Sequence, residues 1–378
     1  MGFSTDAIHY AQEPNEFTSD IIAPIHMTTT YKQDDIGIHK GYTYSRTDNP
    51  TRRMYEQVLA KLEKGDYCLA FSSGLAAIHA IISLLKPEDE LLACRDIYGG
   101  ASRIFDKIFS EYKINVKYFD IEEIDILENK ISSNTKLIFV ETPTNPLLKI
   151  LSLRKLSEFA KKNNILSVVD NTFMSPYLQN PLEYGIDIVV HSSTKYIGGH
   201  SDVIGGAIIT KEKYLYEKFK FYRNATGAIP SPFDCWLLLR SLKTLSIRMK
   251  AHCENAEKFY YYMKDELGLK KIYYPLNFKD NKKYREAFIQ MKAYGGIVSV
   301  DFEDENLARK ILRNLKIFTL AESLGGVESL VCFPFKMTHG SVSEEIKLKI
   351  GITKSLVRFS IGIEDIEDLI EDLNNAMK

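Results

Sequence analysis

Apolar and polar residues alternate along this chain in two rhythms. Short apolar runs recur: YCLAF (67–71), ELLAC (90–94), NVKYF (115–119), KLIFVE (136–141), LSVVD (166–170) and IDIVVHS (186–192). Their length and their content of β-branched and aromatic residues predict strands. Between them, GLAAIHAIISLL (74–85), ASRIFDKIFSEY (101–112) and LSLRKLSEFAKKN (151–163) space apolar residues as helices do. Ahead of these, NPTRRMYEQVLAKLE (49–63) opens on a cap-type Asn49 with Pro50 behind it, and presents Met54, Val58, Leu59 and Leu62 on one face. Strand–helix alternation predicts an α/β fold, a mostly parallel sheet with helices on both faces.

The ends of the chain follow other patterns. Residues 1–48 are rich in Thr, Asp and Pro and show no helical period, which predicts an extended N-terminal arm. After residue 210 the chain turns helical, through LYEKFKFY (215–222) and DCWLLLRSLKTLSIRMKAHCENAEKF (234–259). From about residue 260 a second unit follows, with strands in GGIVSVDF (295–302), KIFTLAE (316–322) and LVRFSIG (356–362) and a closing helix at 363–377. A length of 378 residues exceeds one ordinary core. The expected division is an arm (1–48), a large sheet domain (49–240) and a smaller α+β C-terminal domain (241–378).

Composition narrows the class. Apolar residues make up 45% and charged residues 26%, the balance of a soluble globular protein. A net charge of −1 argues against a nucleic-acid partner. No apolar run is long enough to span a membrane, and the N-terminus lacks a signal-peptide pattern. Cysteines 68, 94, 235, 253 and 332 are odd in number, lack metal-ligand spacing and sit among apolar neighbours. They predict buried, reduced thiols in a cytoplasmic protein with no metal. His191 and His200 read as structural, and no partner is legible for His26, His79 or His339.

Polar clusters fall where predicted strands end. SSGLAA (72–77) follows one strand and opens a helix, whose free N–H groups suit a phosphate. Asp170 ends a second strand, Asn145 follows a third, and Ser192, Thr194 and Lys195 follow a fourth. Ligands of open α/β sheets bind at such carboxyl ends. A phosphate cradle, a carboxylate and a lysine together suit pyridoxal 5′-phosphate: the amine forms a Schiff base with its aldehyde, and the carboxylate keeps its pyridine nitrogen protonated. A desolvated lysine serves as nucleophile and base.

With these residues in view, the chain resembles the cystathionine γ-lyase and γ-synthase family of pyridoxal-phosphate enzymes. YSRTDNPT, AFSSGLAA, DIYGGASRIF, ETPTNP, VVDNTF, HSSTKYIGGHSD, AESLGGVESL and LVRFSIGIED match its signatures in order, from residue 44 to 365. The resemblance implies the type I PLP-dependent transferase fold and a homotetramer built of dimers that share active sites. It implies that Lys195 carries the cofactor and moves protons, that Asp170 pairs with the pyridine nitrogen, and that Tyr98 stacks on the ring. Ser73, Gly74, Leu75, Ser192 and Thr194 would bind the phosphate, and Tyr44 and Arg46 the phosphate of a neighbouring subunit. Asn145, Ser323 and Arg358 would hold the surroundings of a small amino-acid substrate's α-carboxylate.

The same resemblance bears on the reaction. Arg103 stands where cystathionine-handling members carry an arginine for a distal carboxylate, and Glu322 can meet a distal ammonium. Gly100 occupies the place where methionine γ-lyases resemble one another in carrying a cysteine. Thr43 departs from the acidic residue that often precedes the Tyr-Ser-Arg motif. The implied activity is γ-elimination of L-cystathionine to cysteine, 2-oxobutanoate and ammonia. The alternatives are γ-replacement of an O-acylhomoserine by cysteine, a β-lyase, and a non-catalytic paralogue that shares the fold.

Overall fold

The computed structural model describes residues 1–340 and 342–378. Seven strands form one sheet: β1 (Tyr67–Phe71), β2 (Glu90–Cys94), β3 (Asn115–Phe119), β4 (Thr135–Glu141), β5 (Leu166–Asp170), β6 (Ile188–Ser192) and β7 (Gly206–Thr210). Their order is β1-β7-β6-β5-β4-β2-β3. β7 runs antiparallel between β1 and β6, and the remaining neighbours pair in parallel. β2, β4 and β5 are almost wholly buried, as strands covered on both faces must be.

The six predicted strands occur here, whereas β7 came from GGAIIT, which reads in sequence only as a small-residue run. Its glycine has a steric reason. A Cβ on Gly206 would collide with the carbonyl of Ser73, so only glycine lets β7 begin against the end of β1. Helix Pro50–Leu62 forms as expected, with Asn49 accepting from the N–H groups of Thr51 and Arg52.

A second sheet contains β8 (Ile272–Tyr273), β9 (Ile297–Asp301), β10 (Thr319–Leu320), β11 (Leu330–Cys332) and β12 (Leu356–Ser360), in the order β10-β11-β12-β9-β8. All its pairings are antiparallel except β10 with β11. β9 and β12 match expectation. KIFTLAE contributes only the two exposed residues of β10, an edge strand without a covered face. The three residues of β11 and the two of β8 are too short to show a period. The predicted helical run 234–259 divides into Pro232–Leu242 and Leu245–Tyr261.

The arm is not extended throughout. Helix Phe3–His9 buries Asp6 and Ala7, but seven residues do not complete two turns, so no apolar period could be read from them. Beyond it, Phe17 and Ile36 stand 95% and 98% exposed.

One continuous hydrophobic cluster joins the sheets. Val189 and Ala207 of the seven-stranded sheet belong to the same buried cluster as Val298 and Val357 of the other. A separate cluster covers the opposite face through Leu91, Leu137, Val168 and Val190. The five cysteines are free and buried. Among the described residues no helix is long and apolar enough to cross a membrane.

Candidate active site

Parallel strands deliver their last residues to one rim. β1 ends at Phe71 and leads to Ser73, β5 ends on Asp170, β6 ends on Ser192, and the turn after β4 carries Asn145. A cavity of about 370 Å³ opens there. Ser73, Gly74, Leu75, Tyr98, Asn145, Asp170, Ser192, Thr194, Lys195, Glu322, Ser323 and Arg358 all line it. Residues nearly 300 positions apart in sequence therefore share one wall.

Helix Gly74–Ile82 points its start at the cavity. Ser73 caps it, accepting from the N–H of Ala76 at 3.1 Å, and the N–H groups of the first turn have no intrahelical partner. A Cβ on Gly74 would sit 2.9 Å from the Cβ of Ser192, so glycine is what allows the helix start to approach β6. The Thr194 hydroxyl meets the N–H of Gly205 at 3.1 Å. The Ser192 N–H donates to Thr172 Oγ1 at 2.8 Å. The helix dipole favours an anion at this end by up to about 2 kcal/mol when partly buried.

Asp170 accepts from the Thr172 N–H at 3.0 Å and the Thr172 hydroxyl at 2.5 Å. Burial pushes its pKa up, and the Thr172 donors oppose that push. Behind the sheet, Glu63 is bonded to His191 at 2.7 Å and to Asn171, which ties the end of helix Pro50–Leu62 to β5 and β6. His191 is thus a buried structural partner. His79, for which sequence offered no partner, bonds the Tyr222 hydroxyl.

Lys195 Nζ donates to Ser323 Oγ at 2.7 Å. Its pKa is lowered to about 8, first by burial and then by the Arg358 charge, with Glu322 opposing. Arg358 is 2% exposed. Its Nη1 donates to Asn145 Oδ1 at 2.9 Å and its Nη2 to the Ser323 carbonyl at 2.7 Å. Among the described residues it forms no ion pair, and its Nε–H has no hydrogen-bond partner. Desolvating such a cation costs several kcal/mol, so the site is built to receive an anion. Ser323 holds φ at 92°, a left-handed conformation that a serine adopts at a cost of about 1–3 kcal/mol.

Arg103, Tyr44 and Arg46 do not line the cavity. Arg103 is exposed on the helix that follows Tyr98. Tyr44 and Arg46 are exposed, with the guanidinium 5.6 Å from the ring centre. Conversely, the lining includes Glu141, Thr172 and Thr338, to which sequence reading gave no role. Glu141 carried a legible signal, since it ends a strand as Asp170 does. Thr338 carried none, because its place depends on how the distant loop folds back.

The whole chain can now be set beside known proteins. Residues 4–378 match the family model described as Cys/Met metabolism PLP-dependent enzyme. The chain belongs to that family. Its cofactor is therefore pyridoxal 5′-phosphate, and the cavity suits it chemically, with unpartnered helix N–H groups, a carboxylate and an amine around one space. Among this family's curated members, the cystathionine β-lyase of Lactococcus lactis subsp. cremoris is 44% identical over 374 residues, covering 99% of this chain and 98% of the relative. The cystathionine γ-lyase of Bacillus subtilis is also 44% identical, over 378 residues and the full length of both. The crystal structure of cystathionine γ-synthase from Xanthomonas oryzae, in complex with aminoacrylate and cysteine, superposes with a TM-score of 0.95 at 37% identity, covering 100% of this chain and 98% of that one. This chain is a carbon–sulfur lyase-family enzyme of transsulfuration, similar to members of three different activities.

The depressed lysine sets a pH expectation. Nζ is neutral above about pH 8, against 10.5 for an ordinary lysine. Capture of the cofactor by cofactor-free protein, trapped with borohydride, should rise to a plateau with its midpoint near 8; a midpoint near 10 contradicts the desolvated amine. Between these two values the unfolded chain holds more protons on Lys195 than the folded one, so stability rises with pH across that window. Lys195→Met should abolish that rise in urea titrations.

Proposed function

We propose that this chain is a cystathionine γ-lyase, which breaks the Cγ–S bond of L-cystathionine to give cysteine, 2-oxobutanoate and ammonia. The charge layout of the cavity supports this reading. Buried Arg358 forms no ion pair among the described residues, while Glu322 stands exposed at the rim beside Ser323. That layout suits an amino acid charged at both ends.

Pyridoxal phosphate, when bound, supplies an aldehyde for the substrate amine and a ring that accepts the electron pair left at Cα. The N–H groups of Gly74 and Leu75, with Ser73, Ser192 and Thr194, would hold the phosphate. Asp170 would keep the ring nitrogen protonated, and Tyr98 would cover the ring face. Arg358, Asn145 and Ser323 would hold the α-carboxylate so that the Cα–H bond faces Lys195 Nζ. Lys195 would take the Cα proton, pass it on to the bound cofactor before taking a Cβ proton, and return that second proton to the sulfur as the Cγ–S bond breaks and cysteine departs as a thiol; water would then release 2-oxobutanoate and ammonia. Gly100, at the place where the methionine γ-lyases carry a cysteine, counts against that activity; a Cβ there would require the exposed Tyr98 ring to shift.

We assign Tyr44 and Arg46, which reach no part of their own cavity, to the phosphate of a neighbouring subunit in a homotetramer. The exposed apolar residues of the arm support this. We also retain the division into arm, cofactor domain and C-terminal domain at 48/49 and 240/241.

Product analysis tests the reaction. L-cystathionine should yield cysteine and 2-oxobutanoate, and Lys195→Ala should lose at least about a thousandfold in kcat. Pyruvate and homocysteine instead would mean β-elimination. Faster synthesis of cystathionine from an O-acylhomoserine and cysteine than cleavage would mean a γ-synthase.

Arg103 has a separate test. Arg103→Leu should lower kcat/KM for cystathionine at least tenfold more than for a homoserine derivative lacking the distal carboxylate, because an unpaired charge is costly to bind. Equal losses would remove Arg103 from substrate recognition.

Shared sites are tested by mixing. Co-refolded Arg46→Ala and Lys195→Ala chains should recover part of the wild-type activity, since one site in the mixed dimer is intact. Demonstrated mixed oligomers without recovery would contradict sharing.

A further inference from the structure

A second carboxyl group lies beside Asp170 in the cavity, and no step above uses it. Glu141 ends β4 and is in register with Asp170, which ends the neighbouring β5. Paired residues of adjacent parallel strands put their side chains on the same face, with backbones about 5 Å apart. Glu141 is 4% exposed and lines the cavity. Its Oε2 accepts the N–H of Tyr98 at 3.0 Å, at the residue that caps helix Gly99–Lys107. Glu141 therefore neighbours both groups assigned to the cofactor's ring: Asp170 by strand register and Tyr98 by a hydrogen bond.

We propose that Glu141 is a positioning residue that works as a neutral, protonated carboxyl, fixing the backbone of Tyr98 and leaving Asp170 as the single anion beneath the cofactor ring. The hydrogen bonds divide the pair in this sense. Asp170 accepts two donors from Thr172, whereas Glu141 accepts one, from Tyr98. Donors stabilise the ionised form, so ionisation is easier at Asp170. Two adjacent buried carboxylates cannot both ionise cheaply. The cationic ring nitrogen would face Asp170, which widens the difference.

The other groups facing Glu141 do not reverse this. From β2 comes the Cys94 thiol, which accepts the Glu141 N–H at 3.4 Å, and from the turn after it Asp96, a further acid already paired to Lys149 at 2.9 Å. From β12 comes Arg358, a nearby cation whose Nη donors are already directed to Asn145 and Ser323. Burial, then the Asp170 charge, raises the Glu141 pKa well above the carboxylate range, with the Tyr98 N–H and Arg358 opposing.

The inference rests on the cofactor reading of the cavity, and its test separates the two. In the purified holoenzyme, Glu141→Gln keeps a neutral group of the same shape that can still accept from Tyr98, whereas Glu141→Leu removes the acceptor. Glu141→Gln should bind pyridoxal phosphate within threefold of wild type, with an unchanged pH titration of the bound cofactor's absorbance. Glu141→Leu should bind it at least tenfold more weakly. The infrared difference spectrum of wild type minus Glu141→Gln should show a protonated carboxyl band at neutral pH. Its absence, or a Glu141→Gln variant as impaired in binding as Glu141→Leu, would overturn the neutral carboxyl. Should Glu141→Leu fail to fold, the infrared band and Glu141→Gln still decide. If wild type binds no pyridoxal phosphate, the cofactor reading fails; the infrared band then still reports on Glu141.

Discussion

Arg358 is a guanidinium withdrawn from water that forms no ion pair among the described residues, and its wall of the cavity is arranged around that imbalance. Its two Nη groups are anchored by the Asn145 amide oxygen and the Ser323 carbonyl, neutral acceptors that fix its direction without cancelling its charge. The same charge adds to burial in holding the Lys195 amine near the pH at which it can lose its proton. One unpaired cation thus does two things at once, attracting an anion and helping to keep a neighbouring lysine reactive. A carboxylate placed next to Arg358 would remove both effects.

Ser323 joins the two cations. Its hydroxyl accepts from Lys195 and its carbonyl from Arg358, and its backbone sits in a left-handed conformation that serine seldom adopts. Strain of that kind persists only where surrounding structure enforces it. The segment is tied on both sides: Arg358 Nη2 donates to the Ser323 carbonyl, the Gly325 N–H donates to Ser360 Oγ of β12 at 3.0 Å, and Leu324 is buried in the apolar cluster. On the cofactor side, close backbone approach does the equivalent job. Gly74 and Gly206 bring the ends of β1, β6 and β7 nearer than any side chain would permit, so the start of one helix faces the lysine loop.

Membership of the Cys/Met metabolism PLP-dependent family accounts for the shared chemistry, and the similar relatives show how little of that chemistry separates β-elimination, γ-elimination and γ-replacement. A β-lyase and a γ-lyase are equally identical to this chain, at 44%. The cofactor, the lysine and the anion site belong to all such reactions. In the proposed reading, which bond breaks depends on how the far end of the substrate is held, and that end would lie at the exposed rim, where Glu322 stands. Few buried contacts constrain such a rim, so it can vary while the interior is kept.

The sequence alone determined the elements with strong local signals. Six strands, all but the edge strand β3 largely buried, the helix behind Asn49 and the polar residues at strand ends were legible because burial selects apolar runs and caps impose residue type. Twelve candidate site residues that surround the cavity were readable from motifs, since each lies at a strand end, a helix start or a signature loop. Other features needed the tertiary structure. β7, β8 and β11 are short or glycine-led, and their pairing comes from neighbours rather than from their own pattern. Helix Phe3–His9 is too brief to show a period. The register that sets Glu141 beside Asp170 is a property of two strands together. That Arg358 forms no ion pair among the described residues, and that Arg103, Tyr44 and Arg46 lie outside their own chain's cavity wall, are facts of distance between remote segments. No residue's local sequence encodes them, because charge balance and reach are set only when the chain has closed on itself.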